Sequence, residues 1–254
     1  MKARHCVLTA IVVAATVSCG EVPTLDQGIA YISPVILPAP AVAIGDTLRD
    51  TLGFATPLRI DAFDRNDQLL PPPAATFLPT ILPSPISIDA SGIVTAPDSV
   101  TSVQTVQLVG RVGSRLQTTT VSLLVVPQPD SLDRASPDVT GALPAIDTLR
   151  VTVTGLKRDG TRVPVPGIIV RYRVGMYGPA TDSAAAFLTL DGRTVSRPDS
   201  LAAVDTTDAS GIASRTLIIA GKGLDSVVVV VRARSLRNVP LKGDSSRFIF
   251  RVAP

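Results

Sequence analysis

Short runs in which apolar and polar residues alternate recur along the chain, and a period of two is the spacing of a strand with one buried face. Leu58-Arg59-Ile60-Asp61-Ala62 sets apolar against charged positions, and Val103 to Val112 and Thr118 to Val126 flank the hairpin-sized turn Gly113-Ser114-Arg115. Further on, Ile168 to Val174 places Val170, Tyr172 and Val174 on one face and Arg171 and Arg173 on the other. Leu149 to Thr154, Ile212 to Ala220, Ser226 to Ala233 and Ser246 to Val252 follow the same pattern, while the unbroken Val227 to Val231 predicts a strand covered on both faces. No amphipathic helix is expected after residue 18. The pattern is all-β.

Punctuation divides these runs in two. Pro127 and Pro129 are expected to stop the first set, and residues 128–145, with Pro137, Gly141 and Pro144, read as a linker that also has room for a first strand. Modules at 36–127 and 146–254 are each long enough to bury a core. A repeat supports the division: Asp46-Thr47-Leu48-Arg49 recurs as Asp147-Thr148-Leu149-Arg150, and Asp89-Ala90-Ser91-Gly92-Ile93 as Asp208-Ala209-Ser210-Gly211-Ile212. The landmarks are 43 residues apart in the first module and 61 in the second, which places an insertion within Gly175 to Ala203. That insertion, with Met176, Tyr177 and Phe187, is either a recognition loop or an elaborated hairpin with added edge strands.

The N-terminus has another character. Lys2 and Arg4 precede a mostly apolar stretch from Val7 to Val17, which is too short to span a bilayer and reads as a secretion signal over residues 1–18. Thr16-Val17-Ser18-Cys19-Gly20 follows, and it resembles the bacterial lipobox, with Thr16 where a branched aliphatic residue is usual. The resemblance implies lipidation of Cys19 and a membrane partner held through acyl chains, each buried methylene of which contributes about 0.8 kcal/mol. Cys6 lies in the signal, so Cys19 is the one cysteine of the mature chain and no internal disulfide can form. Residues 19–35, with Pro23 and Pro34, read as a tether. Gly20 is not the aspartate that favours inner-membrane retention in some enteric bacteria, so the outer membrane or cell surface is the expected location.

Ile86 to Ala96, with its Asp-x-x-Gly turn before Val94-Thr95-Ala96, resembles the C-terminal half of bacterial Ig-like group 2 domains. In the second module Val151-Thr152-Val153, Arg158-Asp159-Gly160, Val165-Pro166-Gly167, Val170-Arg171-Tyr172 and Thr207 to Ser214 resemble the group 1 domains of invasin- and intimin-like surface proteins. The resemblance implies two tandem immunoglobulin-like β-sandwiches after a helical signal peptide, used as spacers or adhesion modules, and it brings no active site.

Charge separates the modules. Residues 19–128 hold 5 basic and 9 acidic side chains, whereas residues 129–254 hold 17 and 12. Clusters at Arg171, Arg173 and at Arg232, Arg234, Arg237 are candidate contacts for an anionic glycan, lipid or protein, set against the plainer reading of solvated strand faces. The only histidine, His5, lies in the signal, which removes histidine triads and histidine metal sites from the mature chain. Carboxylate pairs remain for glycan hydrolysis, but Glu21 is the only glutamate and most aspartates sit in turn-like settings. Asp61, Asp64, Asn66 and Asp67, and Asp205 with Asp208, are the oxygen clusters that calcium would need; no cofactor or metal is expected. Nucleic acid is disfavoured because the basic half lacks interleaved aromatics.

The expected role is a non-enzymatic, lipid-anchored envelope protein acting as spacer and adhesion unit. An accessory subunit of an envelope complex, docking through the arginine-rich module, comes second. A carboxylate-dependent glycan hydrolase is a distant third.

Overall fold

A computed structural model describes residues 28–113, 117–177, 185–190, 193–198, 200–221 and 223–253. The signal segment, Cys19 and the first half of the tether lie outside them. The described chain consists of strands and turns.

The first module contains β1 (Tyr31–Ile32), β2 (Ala41–Ala43), β3 (Asp46–Thr47), β4 (Ala62–Phe63), β5 (Ala75–Pro79), β6 (Ser87–Ile88), β7 (Val94–Ala96), β8 (Gln104–Val112) and β9 (Gln117–Val126). One sheet has the order β2-β9-β8-β5 and the facing sheet the order β3-β7-β6, while β1 and β4 form a separate pair. Inward side chains such as Leu48, Leu108, Leu123 and Val125 are fully buried between the sheets, each contributing about 1.5–3 kcal/mol of apolar burial. Leu58, Ile60 and Ala62 are buried with Arg59 exposed, as their alternation requires. Their backbone is nevertheless not a continuous strand. Pro34 interrupts the facing segment, and what crosses between the two backbones is the bond from Ser33 N to Asp61 O and one isolated antiparallel bridge, Ile36 with Arg59.

In the second module come β10 (Gln128–Arg134), β11 (Val139–Gly141), β12 (Ala145–Leu156), β13 (Arg162–Pro164), β14 (Ile169–Tyr177), β15 (Ala186–Leu190), β16 (Arg193–Ser196), β17 (Ala203–Thr206), β18 (Ile212–Ile219), β19 (Ser226–Ala233) and β20 (Ser246–Val252). One sheet runs β10-β12-β18-β15-β16, with β13 beside β12, and the other β11-β20-β19-β14-β17. In both modules a short early strand lies parallel to the last one, β2 beside β9 and β11 beside β20. The molecule is all-β, two tandem immunoglobulin-like sandwiches.

Residues 128–145 are not the linker their prolines and glycine indicated. They form β10 and β11, and Pro127 alone separates β9 from β10. Pro129 is tolerated because β10 is an edge strand with a register shift between Pro129 and Ser131. The insertion is partly a hairpin: β15 and β16 extend the sheet beyond β18, with Ala186 and Leu188 in the core and Phe187 half-buried. Residues 178–184 of it lie outside the described residues.

The repeated motifs are one device used twice. Asp89 Oδ1 accepts the N–H groups of Ser91 and Ile93, and Asp208 Oδ1 those of Ser210 and Ile212, at 2.8–3.0 Å. Gly92 and Gly211 take φ values of +85° and +71°, which glycine adopts without steric cost. In each module the strand after this turn pairs antiparallel with the strand bearing the Asp-Thr-Leu-Arg tetrapeptide, β7 with β3 and β18 with β12. Leu48 and Leu149 are the buried apolar members of the two tetrapeptides.

The cores meet at the junction. At β2 and the end of β9, successive side chains alternate between them: Val42, Leu123 and Val125 pack into the first module, while Ala41, Leu124 and Val126 pack against the second. Gly167, at φ +78°, lies so close that a Cβ there would stand 3.0 Å from both Ala41 Cβ and Leu124 Cδ1. These junction strands are the ones covered on both faces. In β19, by contrast, Val227, Val229 and Val231 are buried and Val228 and Val230 only half-buried, because among the described residues only side chains of its own sheet flank that outer face.

Candidate functional site

Strand parity brings five arginines onto the outer face of the β11-β20-β19-β14-β17 sheet. Tyr172 and Val174 point into the core, so Arg171 and Arg173 on β14 point outward. Arg171 lies directly opposite Arg232 of β19, and Arg173 opposite Val230, which is in turn opposite Arg247 of β20. One turn of the pleat further, Val228 faces Ile249, and beyond them Ser226 faces Arg251. All five arginines are exposed, and among the described residues none makes an ion pair. Acids stand at both ends: Asp138, which lies within electrostatic reach of Arg251 but is bonded to Arg134 and to the N–H of Ile249, and Asp225 beside Ser226 at one, and Asp50, which shares a hollow with Arg171, at the other. Those bonds hold the Asp138 carboxyl below its ordinary range, the Ile249 N–H being the largest influence. Like charges set directly opposite across a sheet cost roughly 0.2–1 kcal/mol. The Arg171–Arg232 pairing therefore gives the fold nothing by itself.

Arg171 and Arg173 of one sequence cluster and Arg232 of the other thus share one face. Arg234 meets only Arg171, at the module junction, and Arg237 is held apart from the face. Arg234 bonds the carbonyl and side-chain oxygens of Asn238 at 3.2 and 3.1 Å and lines a small hollow at the module junction with Asp50 and Arg171. Arg237 is bonded across the junction to Asp46, Nε to Oδ2 at 2.6 Å. Arg247 and Arg251 belong to the face but were not singled out in the sequence, although their i, i+4 spacing on an alternating strand was the available signal.

The Asp46 site fixes how the second module sits on the first. Asp46 is 6% exposed; its Oδ1 accepts from Thr47 N at 2.8 Å and from Arg49 Nη2 at 3.1 Å, while Oδ2 accepts from Arg237 Nε at 2.6 Å and at greater length, 3.4 Å, from Arg49 Nε. Burial opposes the charge, but the bonds from Arg237 and Arg49 outweigh it, and the carboxyl lies below its ordinary value. The same bond raises the Arg237 guanidinium. Arg49 Nη1 also reaches the Gly53 carbonyl at 2.9 Å, and Gly53 packs so closely that a Cβ would stand 2.7 Å from the Arg237 carbonyl oxygen.

The remaining acids are taken up locally. Asp50, Asp64, Asp89 and Asp159 accept backbone N–H bonds within their own turns, which lower their carboxyl groups. Asp205, weighed as a calcium ligand, instead pairs at 3.0 Å with Arg215, which is 5% exposed at an inward position of β18. Arg215 also donates to the carbonyls of Ser214 and Val204, while its Nε and the nearby Tyr172 hydroxyl have no partner among the described residues. Burial raises the Tyr172 phenol well above its ordinary value. Among the described residues no group of three or more His, Cys, Asp or Glu is placed to hold a metal ion.

No protein-family model matches the chain, and no curated protein matches it. Solved structures with similarity include the Yersinia pseudotuberculosis adhesin InvE, at 17% identity and a TM-score of 0.38, over 87% of this chain and 57% of that one. Domains 4 and 5 of the S-layer protein SbsC align at 14% identity and a TM-score of 0.28, over 88% of this chain and 97% of theirs. Human protocadherin-24 EC1-2 aligns at 10% identity and a TM-score of 0.26, over 89% of this chain and 98% of that one. The chain spans 57% of the adhesin chain it matches.

Proposed function

We propose that this is an exported, non-enzymatic envelope protein, lipid-anchored through Cys19, whose two modules belong to the group 2 and group 1 bacterial Ig-like types and act as spacer and adhesion unit. The observation that carries this reading is the outward arginine face of the second module, held on a scaffold whose junction is packed and ion-paired. A binding surface is most useful when the element bearing it keeps its orientation. The Ala41, Leu124 and Gly167 contacts and the Asp46–Arg237 bond provide that orientation. The outer membrane is the proposed location.

Two measurements test the reading separately. Membrane fractionation of Cys19→Ala should release the chain into the soluble fraction, and mass spectrometry of the native N-terminus should show acyl groups on Cys19; a variant that stays membrane-bound overturns the anchor. Cells displaying the chain should attach to glycan-coated surfaces, and an Arg171→Ser, Arg173→Ser, Arg232→Ser variant should attach less. Attachment unchanged in that variant overturns the binding role of the face. Arginine-dependent association with one co-expressed envelope protein alone would move the reading to an accessory subunit.

A further inference from the structure

The arginines do not cover the outer face evenly. β19 is the central strand of its sheet, and its outward side chains Val228 and Val230 are half-buried, lower than the exposed arginines beside them. Arg171 and Arg173 stand along one side on β14, Arg247 and Arg251 along the other on β20, and Arg232 at one end. With neighbouring strands about 4.8 Å apart, the two arginine rows are separated by roughly 10 Å, and the stretch from Ser226 to Arg232 is about 20 Å long. Val228 and Ile249 give this furrow an apolar floor, and a surface hollow follows it between Arg247 and Arg251, with Asp225 as the one acid in its lining.

We propose that the furrow holds a single extended chain of a carboxylated polysaccharide, lying along β19 with its carboxylates on the arginines of both walls. This specifies the partner of the binding surface proposed above and rests on that reading. Charge complementarity selects an anion, and a guanidinium presents paired donors to a carboxylate. The apolar floor suits the C–H faces of sugar rings. A bilayer surface would reach the arginine heads but leave Val228, Val230 and Ile249 uncovered. A peptide strand has no backbone groups to join here, since β19 is paired on both sides by β14 and β20. Along β19 and β20 the outward residues Ser226, Val228, Val230, Arg232, Arg247, Ile249 and Arg251 offer a single-stranded nucleic acid no aromatic ring to stack on.

The test uses the full chain in detergent with oligogalacturonate as probe, neutral maltooligosaccharide of equal length as control and vesicles containing phosphatidylglycerol as competitor surface. Titration calorimetry should show binding to oligogalacturonate alone, weakened by added salt. Arg173→Ser with Arg247→Ser should weaken it about tenfold, as expected for two exposed charge contacts. Arg150→Ser with Arg158→Ser, which removes equal charge from outside the furrow, should leave it unchanged. Equal weakening by both pairs would overturn the furrow in favour of net charge, and binding to vesicles without binding to the oligosaccharide would overturn it in favour of a membrane. Absence of binding to either probe also overturns it. If arginine-dependent cell attachment survives those negative results, the adhesion role stands and only the ligand class fails.

Discussion

Arg237 bonds Asp46 across 191 residues of sequence, Nε to Oδ2 at 2.6 Å, and joins the two modules at a carboxylate already engaged by Arg49. The partners are unequal. Asp46 is buried, whereas the Arg237 side chain is 53% exposed and can return to water if the bond is lost. Arg237→Ala should therefore reduce stability by about 1 kcal/mol, and Asp46→Ala, which strips two guanidinium groups and the Thr47 N–H of their acceptor, by about 2 kcal/mol. Urea unfolding of both variants checks the order, and the reverse order would show that Arg237 carries the junction.

The same carboxylate gives the junction a pH dependence. The folded state holds Asp46 below its ordinary value of 3.8, so its contribution to stability is complete above that pH and is lost as the pH falls through the lower folded value. The stability difference between the wild type and Asp46→Asn should be constant from neutral pH down to the ordinary carboxylate range and shrink below it. A difference that grows in acid would contradict the assignment.

Asp205 and Arg215 close the edge of the second sandwich between β17 and β18. Asp205→Ala leaves a guanidinium that is 5% exposed without its counter-ion, and a loss of about 3–5 kcal/mol is expected. Arg215→Met should cost less, because Asp205 retains 24% exposure and can be hydrated. Tyr172→Phe removes a buried hydroxyl that has no partner among the described residues, and should leave stability unchanged or raise it. Thermal unfolding of the three variants ranks them; a large loss for Tyr172→Phe would reveal a hydrogen bond, most simply to an internal water.

Gly160 and Gly211 share a left-handed backbone, at φ +82° and +71°, but not a neighbourhood. A Cβ on Gly160 meets nothing within 4 Å, so Gly160→Ala should cost about 1 kcal/mol from backbone strain alone. A Cβ on Gly211 would stand 2.6 Å from the Val153 carbonyl oxygen, which accepts the Val165 N–H, and the Gly211 carbonyl itself accepts from Val153. Gly211→Ala should cost about 3 kcal/mol or more. Equal losses in chemical denaturation would show that the turn can move away from β12.

Much of this architecture was legible in residue order. The alternation of Val170, Tyr172 and Val174 with Arg171 and Arg173, and of Phe248 and Phe250 with Arg247 and Arg251, states which side of each strand is wet. The repeated Asp-Ala-Ser-Gly-Ile turns are equally local, since one carboxylate and one glycine close each of them. The doubly covered strands were misplaced because an unbroken apolar run has two explanations. Val227 to Val231 has a solvent-facing side, while Ala41 to Ala43 and Leu123 to Val126 have a second module there. Asp46-Thr47-Leu48-Arg49 and Asp147-Thr148-Leu149-Arg150 read alike, yet only the first meets an arginine from the other module.

The sequence by itself determined the strand class, the wet and dry sides of its alternating strands and the chemistry of the turns, because a period of two and an Asp–Gly turn act within a few residues. Tertiary structure alone decided which arginines share a face, which one is spent on Asp46, and where two apolar strands become the seam between modules. Those outcomes depend on register between strands and on contacts closed over as many as 191 residues, and no local pattern carries that information.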